Sequence, residues 1–380
     1  DRFVDALRMI EGAYSLICMT PKRMIACRDP LGIRPLVMGK IGDAVVFASE
    51  TVALDVIGAD FVREVEPGEM IQVGHDGEIR CHRPFGRPAP RPCIFEHVYF
   101  SRPDSVMGGQ SVYEVRKRIG MELAKEAPAD ADLVIPVPDS GVPAAIGYAQ
   151  QSGIPFELGI IRSHYVGRTF IQPSDGARHA EVKRKHNANR ALVEGKKIVL
   201  IDDSIVRGTT LKQSILKILA RTKPSKIVVC STAPQIRYPD CYGIDMSELG
   251  KFIAFAAAVA LHRRAGRQSL LDQVYDDCRA ELDKPPGERQ NRVKAVYEAF
   301  TDEEISAEVS RMVYPEGIEW NGEVEVIFQN IENLHASIKG DCGDWYFTGN
   351  YPTPGGYSMV NLAYLRWYEG VGGRSYDLPL

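Results

Sequence analysis

Two adjacent acidic residues, Asp202 and Asp203, directly follow the apolar stretch KIVLI (197–201). A short apolar run of this length is typical of a buried β-strand. Carboxylate oxygens are preferred ligands of hard divalent cations, and they also accept hydrogen bonds from sugar hydroxyls. The pair is therefore predicted to stand at the end of a strand and to hold vicinal hydroxyls, a divalent cation, or both.

The next seven residues, SIVRGTT (204–210), are rich in small and hydroxylated side chains and lead into a helix. Free backbone amides and the positive end of the helix dipole favour a bound phosphate there, and Gly208 permits close approach of the backbone. Asp and Ser also cap helices for local reasons, but a cap needs only one acid, so ligand binding is favoured. The whole pattern indicates a sugar phosphate that carries a metal-bound group.

Helical and strand-like segments alternate between residues 93 and 250. Apolar positions repeat with helical spacing in SVYEVRKRIGMELAKE (111–126) and TLKQSILKILAR (210–221), and DLVIPV (132–137) reads as a strand buried on both faces. This order predicts an α/β fold with a doubly wound parallel sheet. Ligands of such sheets bind at the carboxyl ends of the strands, which is where the acid pair is expected.

The flanking regions follow different patterns. Residues 1–83 contain short strands and hairpin signals, including Asp76-Gly77 placed as in a type I′ turn, and predict an antiparallel unit. PFGRPAPRP (84–92) has four prolines and is predicted to be the linker. Residues 251–380 are charged with helical spacing and predict a helical C-terminal extension, to which no function is assigned.

Composition limits the classes of partner. A formal net charge of −4, with 44% hydrophobic and 25% charged residues, describes a globular chain with no overall preference for nucleic acid or an anionic membrane. Neither a membrane span nor a signal segment is recognised, which predicts a cytoplasmic location. The eight cysteines form no C-x-x-C pair and are expected to be reduced and mostly structural.

The segment VLIDDSIVRGTT (199–210) resembles the phosphoribosyl pyrophosphate (PRPP) binding motif of type I phosphoribosyltransferases. RDPLGIRPLVMG, YVGRTFIQP and RKHNANR resemble, more narrowly, the amidophosphoribosyltransferase family. The resemblance implies a type I phosphoribosyltransferase fold (93–250) preceded by part of an N-terminal nucleophile hydrolase domain that acts on glutamine (1–83). It also implies the committing step of purine synthesis, in which ammonia displaces pyrophosphate from PRPP and gives 5-phosphoribosylamine.

The same resemblance assigns ligand-binding positions. Ser140, Asp202 and Asp203 fall where the family holds Mg²⁺, and the turn of Asp139, Ser140 and Gly141 falls where it holds pyrophosphate. The 5′-phosphate of PRPP is expected at the segment after the acids, on Ser204, Val206, Arg207, Gly208, Thr209 and Thr210.

A long basic segment, RSHYVGRTFIQPSDGARHAEVKRKHN (162–187), suits a lid that closes over an anion. Arg168 and Lys185 are predicted to be the cations that stabilise the departing pyrophosphate. The alternative is an ordinary solvated, charged loop.

The family's glutaminase uses an amino-terminal cysteine, whereas position 1 here is Asp. This chain is therefore expected to be unable to hydrolyse glutamine, although ammonia-dependent synthesis is expected to survive. Some members carry an iron–sulfur cluster on four cysteines, but only Cys93 and Cys342 fall near such positions, so no cluster is expected.

The predicted partners are PRPP, ammonia or glutamine, purine nucleotides as feedback inhibitors, and further copies of the chain in a homo-oligomer. Two other functions stay open. A salvage phosphoribosyltransferase would take a purine or pyrimidine base in place of ammonia. A noncatalytic regulator would bind PRPP without turnover.

Overall fold

The computed structural model describes residues 2–86, 89–163 and 186–373. The strands are β1 Ser15–Thr20, β2 Arg23–Arg28, β3 Val37–Ile41, β4 Ala44–Ala48, β5 Asp60–Glu64, β6 Met70–Gly74, β7 Ile79–His82, β8 Val106–Met107, β9 Gln110–Ser111, β10 Leu133–Pro136, β11 Ile160–Arg162, β12 His186–Ala188, β13 Lys197–Asp202, β14 Lys226–Ser231 and β15 Glu323–Phe328. The α-helices are α1 Arg2–Leu7, α2 Thr51–Ile57, α3 Val112–Glu126, α4 Val142–Ser152, α5 Arg190–Val193, α6 Lys217–Ala220, α7 Ile253–Arg264, α8 Gln268–Leu282, α9 Ala295–Glu298, α10 Asp302–Val313, α11 Ile331–Ser337, α12 Trp345–Thr348 and α13 Pro354–Tyr368. Two π-helical segments, Glu96–Phe100 and Leu211–Leu216, complete the main elements.

The N-terminal region forms two antiparallel sheets, with strand orders β1-β2-β6-β7 and β4-β3-β5. The antiparallel unit predicted from the hairpin signals is confirmed. The β6–β7 hairpin forms, but its turn is not type I′, because Gly77 has a positive φ (81°) and Asp76 does not. A type I′ turn needs positive φ at both central residues.

The central sheet is parallel, in the order β10-β13-β14-β15. The register pairs Pro136 with Ile201, Asp202 with Ser231, and Ser231 with Phe328, so the carboxyl ends of all four strands meet at one edge. Within β13, Ile198, Val199, Leu200 and Ile201 are fully buried. The predicted parallel sheet is confirmed, and its apolar strands form because helices cover both faces.

The C-terminal region contributes more than the predicted helices. Strand β15 (Glu323–Phe328) pairs in parallel with β14 and completes the central sheet. Phe252, Phe255 and Trp345 are buried in the main hydrophobic core together with residues of the transferase region. The alternation of glutamate with apolar residues in EVEVIF (323–328) is a strand signal that the helical interpretation of 251–380 missed.

An ion pair between the partly buried Arg34 and the buried Glu96 connects the N-terminal and central regions. The Arg34 guanidinium donates to Glu96 at 3.0 Å and to the Tyr242 carbonyl at 3.1 Å, and it lies over the Phe100 ring. Burial raises the pKa of Glu96, and the charge of Arg34 opposes that shift.

Among the described residues, no helix is long and apolar enough to cross a membrane.

Candidate functional site

The acid pair lies at the carboxyl end of β13, as predicted. Asp203 is buried and Asp202 is half-buried. The turn after β14 fixes the backbone of both residues: the Thr232 amide donates to the Asp202 carbonyl at 2.9 Å, and the Thr232 hydroxyl donates to the Asp203 carbonyl at 3.1 Å. The Asp203 amide donates to the Asp202 carboxylate at 3.0 Å, which turns that side chain back over the strand end.

The two carboxylates oppose each other's ionisation. Burial, and then the charge of Asp203, raises the pKa of Asp202 well above its usual range. Burial also raises the pKa of Asp203, although hydrogen bonds from the hydroxyls of Ser140 and Ser204 and the charge of Arg116 oppose the shift. The Ser204 hydroxyl lies 3.0 Å from the Asp203 carboxylate. A cation bound here would relieve the repulsion, since a positive charge favours both ionised forms.

The turn after β10 comes within hydrogen-bonding distance of the acid pair. The Val137 amide donates to the Ile201 carbonyl at 2.8 Å, and the Gly141 amide donates to the Val137 carbonyl at 3.0 Å. A Cβ atom at Gly141 would lie 2.4 Å from the Ile201 carbonyl oxygen, so only glycine fits. This packing places Ser140 beside Asp203 even though 63 positions (203 − 140) separate the two residues in the chain.

Asp139, in the same turn, is exposed and forms an ion pair with Arg162 at the end of β11. The peptide bond between Pro138 and Asp139 is cis. The amides of this turn and the Ser140 hydroxyl lie on the same edge of the sheet as the acid pair. The turn therefore combines a backbone suited to an anion with side-chain oxygens suited to a cation.

The segment 204–210, named the phosphate loop below, connects the acid pair to the π-helical segment that begins at Leu211. Gly208 has a φ of 68°, a conformation that favours glycine. Thr209 and Thr210 are exposed. Within the described parts of the chain, the backbone amides of 205–208 donate no hydrogen bond to the protein. Unpaired amides at the start of a helix are a suitable site for an anion.

Two predicted site residues, Arg168 and Lys185, lie outside the described residues, so their roles stay predictions. The strands on either side, β11 and β12, pair antiparallel with Arg162 opposite His186. A Cβ atom at Gly159 would lie 2.7 Å from Ile135 of β10, so this strand pair is packed closely against the central sheet. The segment predicted to be a lid therefore starts and ends near the turn that contains Ser140.

Sequence reasoning missed Arg116, which is buried on α3. Its guanidinium donates to the carbonyls of His97 and Ser101 at 2.8 Å each, and its charge acts on Asp203. The available signal was a cation on the apolar stripe of α3, between Val115 and Ile119. Arg162 and Thr232 were also missed, because their roles depend on contacts between distant segments.

Cys93 and Cys342 lie apart from the acid pair and the phosphate loop. Cys93 is fully buried, its sulfur lies 3.2 Å from the Tyr346 hydroxyl, and burial raises its pKa to about 12. A parallel bridge between Cys93 and Gly343 brings the two segments together. No group of three or more His, Cys, Asp or Glu side chains suited to a metal ion is found among the described residues. The expected absence of an iron–sulfur cluster stays a prediction.

Comparison with family models agrees with this architecture. Residues 110–260 match the phosphoribosyl transferase domain, and residues 2–56 match a glutamine amidotransferase domain. An amidophosphoribosyltransferase from Rhizobium etli is 53% identical over 276 residues, which cover 71% of this chain and 55% of the relative. The Bacillus subtilis amidophosphoribosyltransferase is 47% identical over 260 residues, which cover 68% of this chain and 54% of the relative. The chain thus spans about half the length of these relatives.

Solved structures give the same result at the level of the fold. The B. subtilis glutamine PRPP amidotransferase complexed with ADP and GMP superimposes with a TM-score of 0.69 at 37% identity. The match covers 93% of this chain and 67% of that one. A structure described as the allosteric regulatory enzyme of purine biosynthesis matches with a TM-score of 0.68 at 37% identity.

Proposed function

This chain belongs to the amidophosphoribosyltransferase family, and from that premise we propose that it replaces the pyrophosphate of PRPP with ammonia to form 5-phosphoribosylamine. One observation carries the proposal. The acid pair, the Ser140 turn and the phosphate loop lie together at the carboxyl edge of the parallel sheet. Each element suits a different part of PRPP: the ribose hydroxyls with a cation, the pyrophosphate, and the 5′-phosphate.

The oxygen donors of Ser140, Asp202 and Asp203 fit Mg²⁺, since all three are hard ligands and the two adjacent carboxylates oppose each other's charge. When bound, Mg²⁺ would neutralise charge on the pyrophosphate as it leaves. Phosphoribosyltransferases generally use Mg²⁺ with PRPP, which agrees with this donor set.

The protein's own groups hold the substrate at its two ends. The amides of 205–208 would bind the 5′-phosphate, with the hydroxyls of Thr209 and Thr210 beside them. The turn at Asp139, Ser140 and Gly141 would hold the pyrophosphate. Arg168 and Lys185 are proposed to stabilise the negative charge that develops on this group as its bond to the ribose breaks. Ammonia is itself the nucleophile, so no side chain has to attack the ribose.

Pyrophosphate release from PRPP in the presence of Mg²⁺ tests the proposal when measured in parallel with ammonia, with glutamine, and with free purine and pyrimidine bases. Release that requires ammonia supports it. Release only with a base would indicate a salvage enzyme, and PRPP binding without release would indicate a regulator. The Asp202→Asn/Asp203→Asn variant is the control and should be inactive in every arm. The glutamine arm measures whether the chain also uses glutamine as a source of ammonia.

Further partners belong to the same proposal. The B. subtilis structure that matches this chain contains ADP and GMP, which supports purine nucleotides as inhibitors here. A homo-oligomer and a cytoplasmic location stay predictions.

A further inference from the structure

The phosphate loop rests on the first residue of α7, in the region to which the sequence assigned no role. Gly208 lies directly against the Ile253 side chain: a Cβ atom at Gly208 would lie 2.1 Å from Ile253 Cδ1 and 3.2 Å from Ile253 Cγ1. Ile253 is buried, with 5% of its surface exposed. Its side chain therefore fills the space behind the loop at the residue whose φ is positive.

A backbone hydrogen bond strengthens the same contact. The Ile253 amide donates to the Val206 carbonyl at 2.8 Å. This amide belongs to the first turn of α7, where amides have no acceptor within the helix. The bond directs the Val206 carbonyl toward α7, and a carbonyl that points this way does not repel an anion bound on the other side of the loop.

The start of α7 is itself firmly held. Phe252, the preceding residue, is buried in the main core. Gly250 lies so close to Trp367 of α13 that a Cβ atom there would be 2.6 Å from the indole ring. Ile253 is thus a fixed point against which the loop can be positioned.

The carboxyl-terminal part of the loop, from residue 207 onward, is supported more weakly. A cavity of about 770 Å³ lies between residues 207–214 and the segments 250–256 and 312–313. Thr209 and Thr210 are exposed, and Arg207 pairs with Asp245 at 3.9 Å near the surface. Because the cavity leaves part of the loop without close packing, the Ile253 contact is well placed to set its conformation.

We propose that Ile253 is a positioning residue, which holds Gly208 and Val206 so that the amides of the phosphate loop point at the 5′-phosphate. The inference rests on the proposed function, because it assumes that this loop binds that phosphate. It gives the C-terminal region a specific task in substrate binding.

The Kd values of three ligands distinguish this positioning role from a general loss of stability. The ligands are PRPP with Mg²⁺, ribose 5-phosphate, and pyrophosphate with Mg²⁺, and each Kd is measured by calorimetry on the full chain. Ile253→Ala should raise the Kd of PRPP and of ribose 5-phosphate by roughly tenfold, because small misplacements of binding groups are costly. The Kd of pyrophosphate should stay within about twofold, since the Ser140 turn is untouched. Ile253→Leu, which retains the side-chain volume, should restore most of the affinity.

Ile305→Ala is the matched control, because Ile305 is a fully buried isoleucine of the same core, on α10. It should lower the thermal unfolding temperature comparably and leave all three affinities unchanged. If Ile253→Ala does not fold, Ile253→Val tests the positioning role in its place. This change removes only Cδ1, the atom nearest to Gly208, and should raise the Kd of PRPP roughly threefold.

A double-mutant cycle tests the contact directly. Gly208→Ala should abolish detectable ribose 5-phosphate binding through its collision with Ile253 and its positive φ. Adding Ile253→Ala should recover part of that binding, because the collision is removed and the backbone strain is not.

The outcomes distinguish the inference from its premise. If the unmodified chain binds none of the three ligands, the proposed function fails. If it binds all three and Ile253→Ala behaves like Ile305→Ala, or weakens pyrophosphate as much as ribose 5-phosphate, the positioning role is wrong.

Discussion

The carboxylates of Asp202 and Asp203 sit where burial and mutual repulsion oppose their charge. Such an arrangement lowers the stability of the ligand-free protein and is retained at sites where a ligand supplies the missing positive charge. The cost has a defined pH dependence. A carboxyl group with a raised folded-state pKa destabilises the fold above its unfolded pKa, and that cost decreases as the pH falls toward the unfolded value.

Asp203→Asn should therefore stabilise the metal-free protein at pH 7.5, by on the order of 1 kcal/mol, and by less at pH 4.5. The same change should weaken binding of PRPP with Mg²⁺ by roughly a hundredfold. Chemical denaturation at both pH values and calorimetry check the two effects. Asp43→Asn, at an exposed turn, should change neither quantity. A variant that is less stable at pH 7.5 than the parent would contradict this account of the site.

Gly141 offers a steric test of the pyrophosphate turn. Gly141→Ala should destabilise the fold by about 2 kcal/mol, because its Cβ would overlap the Ile201 carbonyl. It should also weaken binding of pyrophosphate with Mg²⁺ more than binding of ribose 5-phosphate. Gly287→Ala is the control, since a Cβ atom there meets open space and the backbone φ is not positive. Equal loss of both ligands in Gly141→Ala would argue against a separate pyrophosphate turn.

Among the elements, the packing of α11 against the segment before α12 depends on an ion pair. His335 and Asp344 lie 3.0 Å apart and are partly exposed. The hydrogen bond to Asp344 raises the pKa of His335 above 6.5. The stabilisation is complete below the unfolded pKa, where the imidazole is charged in both states, and is lost as the pH rises through the folded pKa.

His335→Gln should consequently cost about 0.5 kcal/mol at pH 5.5 and less at pH 8.5, a modest effect because solvent screens the pair. The measurement is the difference in unfolding free energy at the two pH values. His75→Gln, at an exposed hairpin turn, should show no such difference. An equal cost at the two pH values would show that the imidazole contributes through packing alone, and a larger cost at pH 8.5 would contradict the ion pair.

Across the whole molecule, the N-terminal and central regions are predicted to unfold together, because Arg34 pairs between them with the buried Glu96 carboxylate. Arg34→Met leaves the Glu96 carboxylate without its cation and should cost about 3 kcal/mol. Arg34→Met/Glu96→Gln should recover more than half of that loss. The control is Arg80→Met, since Arg80 forms an exposed ion pair with Glu78 at the surface. This change should leave the thermal transition unchanged. Two separate transitions in the unmodified protein would contradict the coupling.

The C-terminal region is predicted to be indispensable to the transferase fold. A fragment of residues 93–250 lacks β15 and the buried side chains of α7, so β14 would have an unpaired edge and the core would be open. It should show no cooperative thermal transition by circular dichroism, whereas residues 93–373 should. Cooperative unfolding of the shorter fragment would instead support the end of the transferase domain at residue 250 that the sequence predicts.

The sequence by itself determined the strand, the acid pair and the phosphate loop, because these follow one another within 197–210 and each obeys a local rule of propensity or charge. It also determined the alternating order that produces a parallel sheet. Only the tertiary structure decided that Thr232 binds the backbone of the acid pair and that the charge of Arg116 acts on Asp203. It also decided that β15 completes the sheet and that Ile253 supports Gly208. These contacts join segments far apart in the chain, and core packing selects them in ways that local periodicity does not encode.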